Sequence, residues 1–376
     1  MLDSLRIVSF AANVCQNSAV EDLVLSSPDS LRILMLTADY PPVTWSGIGV
    51  ALDYQARALS ALGVEVHVLC KGPRPENAGG PHVHTLSGPS FPIHSARFDW
   101  IHLHSLSLSE MAFELRRRTG APVVYTAHSL LALELDQSAG EAQFWTLLQI
   151  EVMRCSDVVV FLSESERSSA LVFAPEIASR SRVVHNGLPP APFGRQKVQD
   201  APVVFAGRFA MSKGICLLEK MLPLLRKRWR GPFVLAGGHG DTKSHQAVAN
   251  LRSILGNTLQ TPGWLPRNEL DRLLSTSALV LVPSYYEPFG MTALEAMRVG
   301  APVLAARVGG LAETVKPGSG GCLVDAHHPE NWCDSAMKIL EDRRFSESLE
   351  ESGPPYVGLQ FSSVKAAERL VREVYS

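Results

Sequence analysis

The segment Val282-Pro-Ser-Tyr-Tyr-Glu287-Pro-Phe-Gly290-Met-Thr-Ala-Leu-Glu295-Ala-Met297 concentrates the residue types best suited to chemistry. An apolar run that reads as a strand ends, a loop carries Glu287, Gly290 releases the backbone, and a helix opens at about Met291 with Glu295 one turn inside it. Free N–H groups at such a helix start attract anions, and in a sheet-and-helix fold they face the crevice at the carboxyl ends of the strands. Two carboxylates flank that anion site. Burying them is costly unless they accept hydrogen bonds, and hydroxyl groups are suitable donors. The segment therefore fits a ligand that is both phosphorylated and rich in hydroxyls.

Other residues suit the same ligand. Arg208 and Lys213, in Gly207-Arg208-Phe-Ala-Met-Ser-Lys213-Gly214, follow the apolar run Val203 to Ala206 and project from a loop at the same sheet edge, where they can neutralise a diphosphate. Trp45-Ser46-Gly47-Ile48-Gly49 joins a strand to a helix, and glycines there let the backbone approach a ligand. His128 ends the run Val123-Val124-Tyr125-Thr126 and so points into the crevice, while His102 and His104 alternate onto one strand face and read as structural. No Asp-x-Asp is placed to carry a divalent ion to phosphates, so no metal is expected. Neither opening strand is followed by GxGxxG, which counts against an NAD-dependent oxidoreductase.

The elements that must position these residues alternate. Arg32 to Thr37 reads as a strand, Gly49 to Leu62 as a helix stopped by Gly63, and Glu65 to Cys70 as the next strand, a βαβ unit. Strands at Trp100 to His104, Pro122 to Thr126 and Asp157 to Leu162 continue the pattern, with helices between them. Such alternation implies a parallel sheet covered on both faces. Prolines and glycines interrupt Gly187 to Pro202, which sets the domain boundary. The alternation then restarts with strands near Val203 to Ala206, Phe233 to Ala236, Ala278 to Val282 and Pro302 to Ala305. The division expected is an N-terminal extension over 1–30, a first domain over 31–190 and a second over 195–355. Gly353-Pro354-Pro355 is expected to break the chain, and a final helix within 358–376 to cross back and complete the first domain.

With 376 residues, the chain suits two domains and hence a cleft between them. Apolar residues make up 46% and charged residues 19%, and the formal charge is −2, so the one-sided basic surface of a nucleic-acid binder is not expected. Six scattered cysteines form no CxxC pair and read as reduced, with Cys70, Cys155 and Cys216 expected to be buried thiols, which implies a cytoplasmic setting. No stretch approaches the roughly 20 apolar residues of a membrane span.

The Glu287 to Glu295 segment, with seven residues between its carboxylates, closely resembles the signature of retaining GT-B glycosyltransferases, above all those of family 4. The resemblance extends from about Leu31 to Tyr375 in family order through Pro41-Pro42, Gly47-Ile48-Gly49, Tyr125-Thr126-Ala127-His128, Asn186-Gly187, Gly207-Arg208, Lys213-Gly214, Gly263 and Gly309-Gly310-Leu311. It implies an α/β fold in which two Rossmann-like domains face each other across a deep cleft. It also implies that Glu287 holds hydroxyls of a donor sugar, that Gly290 and Met291 offer backbone N–H groups, and that Glu295 holds the ribose. By the same resemblance Arg208 and Lys213 stabilise the leaving nucleoside diphosphate, His128 touches the sugar, and Gly47 and Gly49 approach the phosphates, while the base is expected on the backbone around Gly237-Gly238 and Gly263-Trp264-Leu265. Two departures stand out: Ser212 replaces an acidic residue and Ser46 a glycine.

The activity expected is retaining, metal-independent transfer from a nucleotide sugar, with UDP favoured, to a soluble small-molecule acceptor, with no cofactor beyond that co-substrate. Thr37 to Val50 contains no histidine to act as the base of an inverting enzyme. The tight cluster Arg116-Arg117-Arg118 closes a helix, where cations favour the dipole, and so competes with a lipid-headgroup role. Alternatives are a lipid or cell-envelope polysaccharide acceptor, or a nucleotide-sugar-binding homologue without transfer activity.

Overall fold

Runs of β-branched and aliphatic residues form the strands in a computed structural model, which describes residues 30–42, 47–72, 80–86, 97–134, 140–325 and 327–376. The first 29 residues, with most of the expected N-terminal extension, lie outside the described residues, as do Trp45 and Ser46. The first sheet has seven parallel strands in the order β3-β2-β1-β4-β5-β6-β7, where β1 is Arg32–Thr37, β2 Glu65–Cys70, β3 His82–Thr85, β4 Trp100–Leu103, β5 Val123–Ala127, β6 Val158–Phe161 and β7 Ser181–Val183. The second has six parallel strands in the order β10-β9-β8-β11-β12-β13, with β8 Val203–Arg208, β9 Phe233–Gly238, β10 Leu259–Gly263, β11 Leu279–Val282, β12 Val303–Ala306 and β13 Gly321–Val324. Central strands such as β5 and β11 are buried throughout, as strands covered by helices on both faces must be.

Both sheets are Rossmann-like. In each, the strand order reverses beside the first strand, at β1/β4 and at β8/β11. Crevices open at such switch points, outside the carboxyl ends of the strands. The loops after β8 and β11 carry Arg208 to Lys213 and Ser284 to Gly290, and the helix Gly47–Ala61 follows β1, so the two sheet edges face one cleft.

Beyond Val183 the chain carries no helix or strand until Val203, apart from a bridge between Leu188 and Ser362. At that crossing the Leu188 amide donates to Phe361 O (2.8 Å) and the Ser363 amide to Leu188 O (2.9 Å). The last helix, Ser363–Glu373, packs on Gly47–Ala61, and the buried Tyr375 hydroxyl meets His102 Nδ1 at 2.5 Å.

Two expectations about these elements need correction. Gly353-Pro354-Pro355 does not break the chain: the helix Arg343–Gln360 runs through both prolines. Its packing against Met291–Arg298, where Gly353 lies against the Met297 backbone, outweighs the two lost N–H donors. Cys155 is exposed and Cys216 only partly buried, because each lies at a helix end near solvent, whereas Cys70 is buried; all five described cysteines are free. The strands β3, β7, β10 and β13 lacked a legible signal, being short or at sheet edges, and β10 contains Pro262 and Gly263, tolerated there because it is an edge strand.

Candidate active site

Gly290 starts the site. Its φ of 102° is left-handed, and a Cβ there would lie 2.6 Å from Leu311 Cδ2, so glycine alone turns the chain sharply from the loop into the helix Met291–Arg298. Gly290 at its N-cap has no side chain to cap that helix, which leaves its first N–H groups open towards the cleft. Gly214 plays a similar part for the cation loop: its φ is 81°, and a Cβ would come within 1.9 Å of Pro283 O, so the Lys213 loop lies directly against the β11 loop. Lys213 Nζ consequently donates to Glu287 Oε2 at 3.0 Å, and Ser284 Oγ donates to the same oxygen at 3.2 Å.

The cleft between the domains has a volume of about 900 Å³, at the upper end of the range for ligand pockets. Arg208, Lys213, Glu287, His128, Gly47, Gly290, Met291, Glu295 and Leu265 all line it. Gly49 and Gly263 do not. Gly49 packs against Asp39, where a Cβ would sit 3.0 Å from the Asp39 carbonyl carbon, so it serves the seating of its helix. Gly263, with φ of 85°, ends β10 and turns the chain so that Trp264 and Leu265 reach the cleft in its place.

Burial lowers His128 to about 4, so its imidazole is neutral near pH 7 and offers a hydrogen bond instead of a charge. Its Nε2 lies 3.0 Å from His104 Nδ1, and His104, fully buried and held well below the usual histidine range by desolvation, fixes the ring from behind. His102 bonds Thr126 Oγ1 at 2.7 Å as well as Tyr375, a structural role.

Sequence reasoning missed several cleft residues. Glu134, from the first domain, pairs with Arg208 of the second across the cleft. Burial opposes its charge, but Arg208, Ser129 and Lys213 outweigh that and hold its carboxyl below the ordinary value. Arg267 Nη1 donates to Glu295 Oε1 at 2.5 Å and also pairs with Asp271, which Arg298 meets at 2.9 Å. Two arginines and two carboxylates thus balance where Glu295, Asp271 and Arg298 are each buried. Nothing local marks Arg267 in sequence, since an arginine at a helix start resembles any surface charge. Trp264 also lines the cleft and is 38% exposed. Among the described residues no cluster of His, Cys, Asp or Glu could hold a metal ion.

Two family models match the chain: "Glycosyl transferases group 1" over residues 193–354 and "Glycosyltransferase Family 4" over residues 45–191. It is 30% identical over 283 residues to a D-inositol 3-phosphate glycosyltransferase of Nocardioides sp., a match spanning 67% of this chain and 62% of that protein. Among solved structures it resembles sucrose-phosphate synthase from Thermosynechococcus elongatus, with a TM-score of 0.75, 21% identity and coverage of 91% of this chain and 98% of that one. It also resembles Anabaena HepE in complex with UDP and glucose, with a TM-score of 0.73, 18% identity and coverage of 92% and 100%. These likenesses establish the shared two-domain fold.

Proposed function

The chain belongs to the family 4 glycosyltransferases of GT-B fold, and on that premise we propose that it transfers a sugar from a nucleotide-sugar donor to an acceptor hydroxyl with retention of configuration and without a metal. One observation carries this reading: Arg208, Lys213, Glu287 and the open start of the helix Met291–Arg298 converge in a single cleft between the domains. The cations and helix N–H groups are placed to stabilise charge that grows on the departing diphosphate, the electrostatic work a metal does elsewhere. Glu287 faces the sugar hydroxyls, and neutral His128 offers them a hydrogen bond from the opposite domain. In a front-face route the C1–O bond to phosphate breaks, the acceptor oxygen bonds C1 on the same face, and its proton passes to the departing phosphate oxygen. UDP is the favoured nucleotide, a preference that the UDP complex of HepE supports.

Incubation with UDP-, GDP- and ADP-sugars, followed by proton NMR of the first product, tests the reading. A retained anomer formed in the presence of EDTA is expected. An inverted anomer, or activity abolished by EDTA and restored by magnesium, refutes it.

A soluble acceptor is the preferred class, because two members of the arginine cluster are already engaged: Arg116 with Asp157 and the Cys155 carbonyl, Arg117 with Glu114. A lipid acceptor is the second reading, favoured by exposed Leu133, Phe144 and Leu147 on the first domain. No helix among the described residues is long and apolar enough to cross a membrane. Flotation with anionic liposomes separates the two readings, since strong binding selects the lipid class.

A further inference from the structure

Glu287 is held on both sides by the opposite domain. Its predecessor Tyr286 extends out of the second domain, where its hydroxyl donates to Glu166 Oε2 at 2.7 Å and accepts from the Leu130 amide at 2.6 Å. Its successor Pro288 offers its carbonyl to Ser163 Oγ at 2.8 Å. Glu166 and Ser163 belong to the start of the helix Glu164–Phe173 in the first domain, and Leu130 lies two residues beyond His128. Glu313 of the second domain reinforces the join by accepting the amides of Glu164 (3.0 Å) and Ser165 (2.8 Å).

Glu166 is only 1% exposed, and burying a carboxylate is expensive unless a partner compensates it. That partner comes from the other domain, through a residue adjacent to the one proposed to hold the donor sugar. The same tyrosine oxygen satisfies the backbone next to His128. We infer that Tyr286 and Glu166 are positioning residues, an interdomain clasp that sets Glu287 against His128 across the cleft. This inference rests on the transferase reading above. Because the atoms concerned touch neither Arg208 nor the Arg267–Glu295 pair, the clasp governs the geometry of transfer and not the capture of nucleotide.

Tyr286→Phe removes one oxygen and little volume. It should lower kcat about tenfold while the Kd for UDP, read by calorimetry, stays within about twofold, the pattern of lost alignment and not lost binding. Glu166→Leu should reproduce the loss, and Glu166→Gln, which keeps an oxygen for the tyrosine hydroxyl, should recover most of it. Amide exchange at Leu130 reads the clasp without any activity and should quicken in Tyr286→Phe. A wild-type protein that transfers no sugar defeats the transferase reading, and the Leu130 amide still reports on the clasp. Unchanged kcat in Tyr286→Phe, an equal loss of kcat and UDP affinity, or an unchanged Leu130 amide overturns the inference.

Discussion

Glu166→Gln should alter how stability depends on pH, by an amount that the surroundings of the carboxyl set. Burial is the largest cause raising Glu166 from 4.5 to about 7; hydrogen bonds from Tyr286 and the Leu130 amide oppose the rise, and Glu134 and Glu287 add to it. In the unfolded chain the carboxyl returns to its ordinary value, so between that value and about 7 the folded protein keeps a proton that the unfolded chain has released. The folded state then binds more protons, and stability falls as pH rises. At 1.36 kcal/mol for each pH unit the whole interval amounts to about 3 kcal/mol, of which about 2 kcal/mol falls between about pH 5.5 and 8. Glutamine does not ionise and escapes this loss. Urea unfolding of both proteins across that range should show the variant gaining about 2 kcal/mol on the wild type as pH rises. Titrating groups that do not feel the Glu166 charge are shared and cancel in the difference. A gap constant to within about 0.5 kcal/mol would refute the assignment of a buried, proton-retaining carboxyl at this position.

Further outcomes follow from the cleft geometry. Lys213→Ala should reduce turnover far more than donor affinity, since charge on the departing phosphate grows during bond cleavage; steady-state kinetics beside calorimetry checks this, and equal losses would count against it. Glu295→Ala should weaken UDP binding by about one to two powers of ten, the worth of hydrogen bonds to a charged acceptor, and unchanged affinity would remove the ribose role. Gly290→Ala forces a side chain into a left-handed turn against Leu311 and should cost roughly 1 to 3 kcal/mol of stability, visible as a lower Tm.

Much of the cleft was legible because its parts are local. Glu287, Gly290 and Glu295 lie on one strand–loop–helix passage, and Arg208 and Lys213 on another, so short-range pattern and spacing announce them. The alternation of apolar runs with helical stretches likewise implied parallel sheets, since a strand buried on both faces must be apolar throughout. Gly49 shows the limit of local reading: its motif is present, yet within the first turn of the helix Gly47–Ala61 it lies against Asp39 and away from the ligand space.

What only the tertiary structure decided depends on atoms brought together from distant segments. Arg208 meets Glu134 across 74 residues, and Tyr286 meets Glu166 across 120, each pair spanning the two domains. Arg267 acquires meaning only when its helix lays the guanidinium against Glu295. Even the helix through Pro354 and Pro355 survives because packing outweighs local propensity. Composition, periodicity and motif act over a few residues and determined the central strands, most of the helices and the identity of the chemistry-bearing loops. Burial and charge pairing are properties of the assembled space around a side chain, and the order of residues alone does not specify which domain will supply its partner.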